Sequence, residues 1–213
     1  MFEYESKGFL DALSGETQDG DWKRLAEEIG GEFVAGVRDG WGSASRVVWR
    51  VEPWTITLEA YKYSSRGDPG LFVMHTRVTA DYITDDYFNF WVSPPGLLDD
   101  LKNFFGLENK HDIKIGDADL DRRYVFYGSD AEETRQLFEN NNLRRMLAWF
   151  GSGISYGVKG ADEWLSKTYR KRSFQLYYDY PGLVRDTVEL RVIMELFGET
   201  LKQLRRIGSI DNG

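Results

Sequence analysis

The sequence predicts an α+β protein: a curved antiparallel sheet with helices packed on one face. Three observations carry this. Apolar residues alternate with polar ones over several consecutive short runs, and only short turn-rich segments separate those runs. Parallel neighbours would need crossover helices between the runs, so the strands are read as an antiparallel meander. Apolar stripes at helical spacing then precede and follow the strand runs.

In chain order, Ser6 starts a short helix with Phe9, Leu10 and Leu13 on one side. Gly15 to Gly20 reads as a polar connector. Asp21 is the expected N-cap of a helix bearing Trp22, Leu25, Ala26 and Ile29, with Gly30 as its left-handed stop. Strands are expected at Glu32–Val37, Arg46–Val51, Trp54–Ala60, Phe72–Val78 and Tyr87–Val92. Pro53 marks a turn, and Ser64 to Gly70 a hairpin loop. Pro95 opens a helix that Gly106 closes. Ile113 and Ile115 form a short strand, and Tyr124–Tyr127 another. Ser129 and Glu132 have capping-box spacing, and Asn140 to Asn142 should break the helix that follows. Leu143, Met146, Leu147 and Phe150 then continue at helical spacing. Further strands are predicted at Ile154–Val158, Trp164–Tyr169 and Ser173–Tyr178, and a final helix from Gly182 to Ile207.

The 213 residues are read as a single domain, with internal halves at 21–106 and 112–208. The halves come from an internal match at a constant offset. Arg24 matches Arg145, Gly30 matches Gly151, Gly36 matches Gly157 and Val37 matches Val158. Pro-Gly-Leu also occurs in both halves, at Pro95 and Pro181. The order of elements is similar to the TATA-binding-protein-like fold, in which two such units form one curved sheet. Separately, IGDADLDRRYVFYGSD and the leucine-rich helix after it, from Ile113 to Phe150, resemble a bacterial family of uncharacterised proteins. That resemblance implies no activity and no functional residues.

Composition limits function. Lys and Arg total 27 against 35 Asp and Glu, a net charge of −8. Such a chain repels phosphate backbones, so no nucleic-acid partner is expected, and a basic partner would be steered toward it. There is no cysteine, which removes disulfides, thiolate nucleophiles and Cys-ligated zinc. No window approaches the length of apolar sequence that spans a bilayer, so no membrane insertion is expected. The start of the chain does not read as a signal peptide, and a cytoplasmic location is expected.

The chemistry-bearing residues are few. Asp117, Asp119 and Asp121 form D-x-D-x-D, a pattern able to chelate a hard cation, but an EF-hand loop would then require Gly and Glu where Arg122 and Gly128 stand. The run is read as an acidic turn. Asp85, Asp86, Asp99 and Asp100 are two more acidic pairs. His75 and His111 show no partner in the sequence, and no nucleophile or phosphate-loop motif occurs. Catalytic, cofactor-binding and metal residues are therefore assigned as none, with no cofactor expected. Aromatics are the remaining signal. Trp41, Trp49, Trp54, Tyr61, Tyr63, Tyr82, Tyr87, Phe88, Phe90 and Trp91 crowd the first strands, and Tyr177, Tyr178 and Tyr180 the later ones. Trp and Tyr serve both sheets and binding surfaces. The sequence thus predicts a non-catalytic binding or protein-interaction module with an aromatic, acid-rimmed sheet face, acting on a protein partner or on a second copy. The rival expectation is a hydrolytic or metal-assisted enzyme built on the acidic loops.

Overall fold

The computed structural model describes residues 16–36, 45–64, 72–84, 86–96, 112–160 and 172–210. Its framework is one sheet of eight strands, all antiparallel. The strands are β1 (Glu32–Val34), β2 (Arg46–Val51), β3 (Trp54–Ser64), β4 (Phe72–Thr84), β5 (Phe90–Ser93), β6 (Val125–Gly128), β7 (Tyr156–Gly160) and β8 (Arg172–Pro181). Their order is β1-β2-β3-β4-β8-β7-β5-β6. Helices are α1 (Glu16–Ile29), α2 (Leu120–Arg123), α3 (Ala131–Phe138), α4 (Asn141–Phe150) and α5 (Thr187–Arg206).

The period-2 pattern decides which face is covered. Trp54, Ile56, Leu58 and Ala60 of β3 are buried, as are Thr76, Val78, Ala80, Tyr82 and Thr84 of β4 and Phe174, Leu176 and Tyr178 of β8. The apolar ones form one core with Trp22 and Leu25 of α1, Leu143 and Leu147 of α4, and the Leu190–Leu204 stripe of α5. Side chains tie the layers together where polar groups are buried. Tyr124 donates to the Leu147 carbonyl at 3.2 Å, and Thr84 donates to the Ser209 carbonyl at 2.9 Å. At Gly198 an added Cβ would lie 3.4 Å from the Trp49 ring, so α5 passes close over β2. The α+β class, the antiparallel curved sheet and the helices on one face all stand as the sequence predicts.

Several boundaries differ from expectation. Helix α1 begins at Glu16, so Asp21 is an interior residue rather than a cap; it pairs with Arg24 one turn on. Gln18, in the stretch read as a connector, is buried. Gly30 is the expected stop, at φ 68°. Helix α3 is capped by Asp130, whose Oδ1 accepts from the amides of Glu132 at 2.8 Å and Glu133 at 2.9 Å. Ser129 instead accepts from the Asn89 amide at 3.0 Å, tying the loop before β5 to β6. Asn140 breaks the helical run as expected, by capping α4. The last helix begins at Thr187 under an Asp186 cap, not at Gly182. Residues before it are held against β4, where Thr76 donates to the Gly182 carbonyl and accepts from the Val184 amide. Strand β5 begins at Phe90, and Ile113 makes only an isolated bridge to Phe126.

The segments matched at constant offset share a local form. Both run from a helix into a glycine at φ 68°, Gly30 and Gly151. The strands that follow occupy unlike places, β1 at the sheet edge and β7 between β8 and β5. The helix expected at Ser6, the hairpin loop after Ser64, the helix closed by Gly106 and the strand expected at Trp164–Tyr169 lie outside the described residues. So do Trp41, Asp85, Asp99, Asp100 and His111.

Candidate functional site

Strand alternation that sends one set of residues into the core sends the other to the opposite face. Across the central strands β3, β4 and β8 the register sets Glu59 opposite Arg77, and Arg77 opposite Asp179. One step along, Tyr61 stands opposite His75. These residues form a polar layer. The Arg77 guanidinium donates through Nε to Glu59 Oε1 at 2.8 Å and lies 4.3 Å from the centre of the Tyr61 ring. Tyr61 donates to Asp179 Oδ2 at 2.9 Å. His75 Nδ1 lies 3.1 and 3.2 Å from the two Asp179 oxygens. His75 thus has a partner that sequence reasoning missed, 104 residues away. Only the register of β4 against β8 joins them.

Burial pushes the Tyr61 hydroxyl well above the usual phenol range, and its bond to Asp179 pushes it further. Tyr61 therefore stays a proton donor at neutral pH. Tyr177 is likewise raised, first by burial and then by Asp179, with Arg77 opposing.

Farther across the same face, Trp91, Tyr127 and Tyr177 make a second, separate cluster of buried aromatics, with Val125 packed beside it. The register runs Tyr177, Gly157, Trp91, Tyr127 straight across four strands. Trp91 donates from Nε1 to Ser155 Oγ at 3.0 Å, and the Lys159 ammonium lies 5.2 Å from the Tyr177 ring centre. The aromatics of the sheet thus divide. Trp54, Tyr82, Phe88, Phe90 and Tyr178 belong to the helix-side core, and Trp91, Tyr127 and Tyr177 to the other face. Among the aromatics whose burial is described, Tyr87 and Tyr180 are exposed.

The acidic loops do structural work in the backbone. Asp117 Oδ1 accepts from the amides of Asp119 and Leu120 at 3.1 Å, which starts α2. Asp121 accepts from the amides of Ile115 and Gly116. Asp119 is ion-paired with Arg122 and Arg123. Asp86 accepts from the amides of Tyr87 and Phe88. The three carboxylates of D-x-D-x-D are thus turned to separate tasks. Among the described residues no group of three His, Asp or Glu is placed to hold a metal.

A shallow depression of about 340 Å³ lies beside the β2–β3 turn, over β3 and β4. Pro53, Trp54, Thr55, Thr57, Thr79 and Asp81 line it.

No family model matches the chain, and no curated protein matches it. Among solved structures it is similar to the crystal structure of the mycobacterial trehalose monomycolate transport factor A, TtfA. The identity is 9% and the TM-score 0.44, over 88% of this chain and 96% of that one. A likeness this distant implies neither a shared ligand nor a shared partner. Among the described residues no helix is long and apolar enough to cross a membrane.

Proposed function

We propose that the protein is a non-catalytic binding module that engages a basic protein segment through the sheet face opposite its helices. The observation that carries the reading is the polar–aromatic layer on that face. Glu59, Asp179 and Asp81 supply carboxylates there, beside Tyr61 and Tyr177. Aromatic rings with polar ends and fixed acids suit a lysine- or arginine-bearing partner. The net charge of −8 steers such a partner toward the molecule. The acids of the Asp117–Asp121 loop favour this reading over hydrolysis, since their carboxylates are engaged by backbone amides and arginines.

The test is the affinity of a lysine-rich decapeptide for three proteins. These are the parent chain, Asp179→Asn and the helix-side control Glu195→Gln. Asn keeps the shape of Asp179 and removes its charge. The expected result is a several-fold loss with Asp179→Asn, no change with Glu195→Gln, and weakening by added salt. Equal affinity for all three contradicts the reading. Growth of a dimer that excludes the peptide would assign the face to a second copy instead.

A further inference from the structure

The carboxylates on the sheet face opposite the described helices are not equivalent. Glu59 is paired with Arg77, and Asp179 faces His75 and Tyr61. Asp81 is exposed, and its Oδ1 accepts from the neutral amide of Gln175 at 2.8 Å. Among the described residues Asp81 has no cationic partner. It lines the depression of about 340 Å³ together with the threonines Thr55, Thr57 and Thr79. Thr57 and Thr79 are direct cross-strand partners, so their side chains stand next to each other. Among the described residues no side chain hydrogen-bonds any of these three hydroxyls. Pro53 and Trp54 complete its lining.

Resting on the reading of this face as a site for a basic partner, we infer that the depression is the seat of a primary ammonium carried on an alkyl chain. An ammonium has three donors and no acceptor. It needs oxygen acceptors on several sides and a negative charge nearby. The threonine hydroxyls offer the acceptors, and Asp81 offers a charge that no cation among the described residues neutralises. Pro53 and the threonine methyls supply apolar surface for the alkyl stem. A depression of this size falls at the small end of ligand pockets and has room for an extended lysine side chain. Arg50 stands opposite Thr55 in the register and is a like charge on the outer flank. A free amine should therefore bind weakly, on the order of millimolar. A lysine within a peptide gains from the neighbouring Tyr61 and Asp179 layer.

The test uses the full chain and follows the methyl resonances of Thr55, Thr57 and Thr79. The probes are n-butylamine, a peptide with one central lysine, and 1-butanol as the uncharged match for the stem. Saturable shifts of all three methyls by the two amines and not by butanol are expected. Asp81→Asn should weaken both amines about tenfold. A response confined to the free amine would mark the ligand as a small molecule, and a response confined to the peptide would mark it as a protein side chain. Equal shifts by butanol, or amine binding unchanged by Asp81→Asn, overturns the inference. If the lysine-rich decapeptide still binds in an Asp179-dependent way while the threonine methyls stay still, the inference fails and the broader reading stands. If the decapeptide does not bind and the threonine methyls stay still with both amines, both fail.

Discussion

Gly157 sits where β7 passes between β8 and β5, directly opposite Trp91 and Tyr177. A Cβ there would lie 2.3 Å from the Phe90 carbonyl and 2.7 Å from the Trp91 Cα. The close approach is what lets the Trp91, Tyr127 and Tyr177 rings pack across the strands. Gly157→Ala should cost roughly 2 kcal/mol or more through overpacking. The denaturant midpoint should fall accordingly; an unchanged midpoint would mean the strands can move apart freely. At this scale the sequence is readable where a residue acts alone. Gly30 as a stop and Asn140 as a break follow from backbone preferences. The roles of His75 and Asp179 do not, because the partners come together only when β4 pairs with β8. Asp117 and Asp121 are an intermediate case. Their pattern announces an acidic turn, but whether amides or a cation take the oxygens depends on the backbone path from Ile115 to Leu120.

Elements were legible by period and less so by their ends. Strands β2 and β3 appear where alternation places them, since each has one face against the core. Ends follow local hydrogen bonds that compete over one or two residues. Both Ser129 and Asp130 are good capping residues, and the sequence spacing favours Ser129 with Glu132. Asp130 takes the cap because Ser129 is engaged with the Asn89 amide. Asp130→Ala should therefore destabilise the protein by about 1 kcal/mol, read from the thermal or denaturant midpoint. Glu133 in the same first turn has its carboxyl raised, chiefly by burial and then by Asp86 and Asp130. Glu199 differs: burial pushes it up, but the Lys202 and Asn142 hydrogen bonds outweigh that and hold it low. Its contribution is present above the usual carboxylate range and is lost as pH falls through the lowered value.

In the whole molecule, β4 and β8 join the two ends of the sheet through ten paired residues. One continuous sheet over one main core predicts a single cooperative unfolding transition, with coincident changes in tyrosine environment and helix content. The same tyrosines set the alkaline limit. Burial raises Tyr61, Tyr82, Tyr156 and Tyr178 strongly, and Tyr124 to about 12. Above about pH 10 the unfolded chain loses phenolic protons that the folded chain keeps. Folding stability must then fall as pH rises, since the native state binds more protons. Phenolate absorbance should develop together with unfolding; early ionisation of these rings in the folded protein would contradict their burial. The sheet order was not legible beforehand. Periodicity names the strands and their inner faces, yet it does not say that β8 inserts between β4 and β7.

Amide chemical-shift mapping with the lysine-rich decapeptide reads directly which face of this sheet meets a partner. The predicted result is saturable perturbation centred on Thr57, Glu59, Tyr61, Arg77, Thr79, Tyr177 and Asp179, with α1 and α5 unaffected. Perturbations centred on α1, α4 or α5, or none at all at saturating peptide, would contradict it.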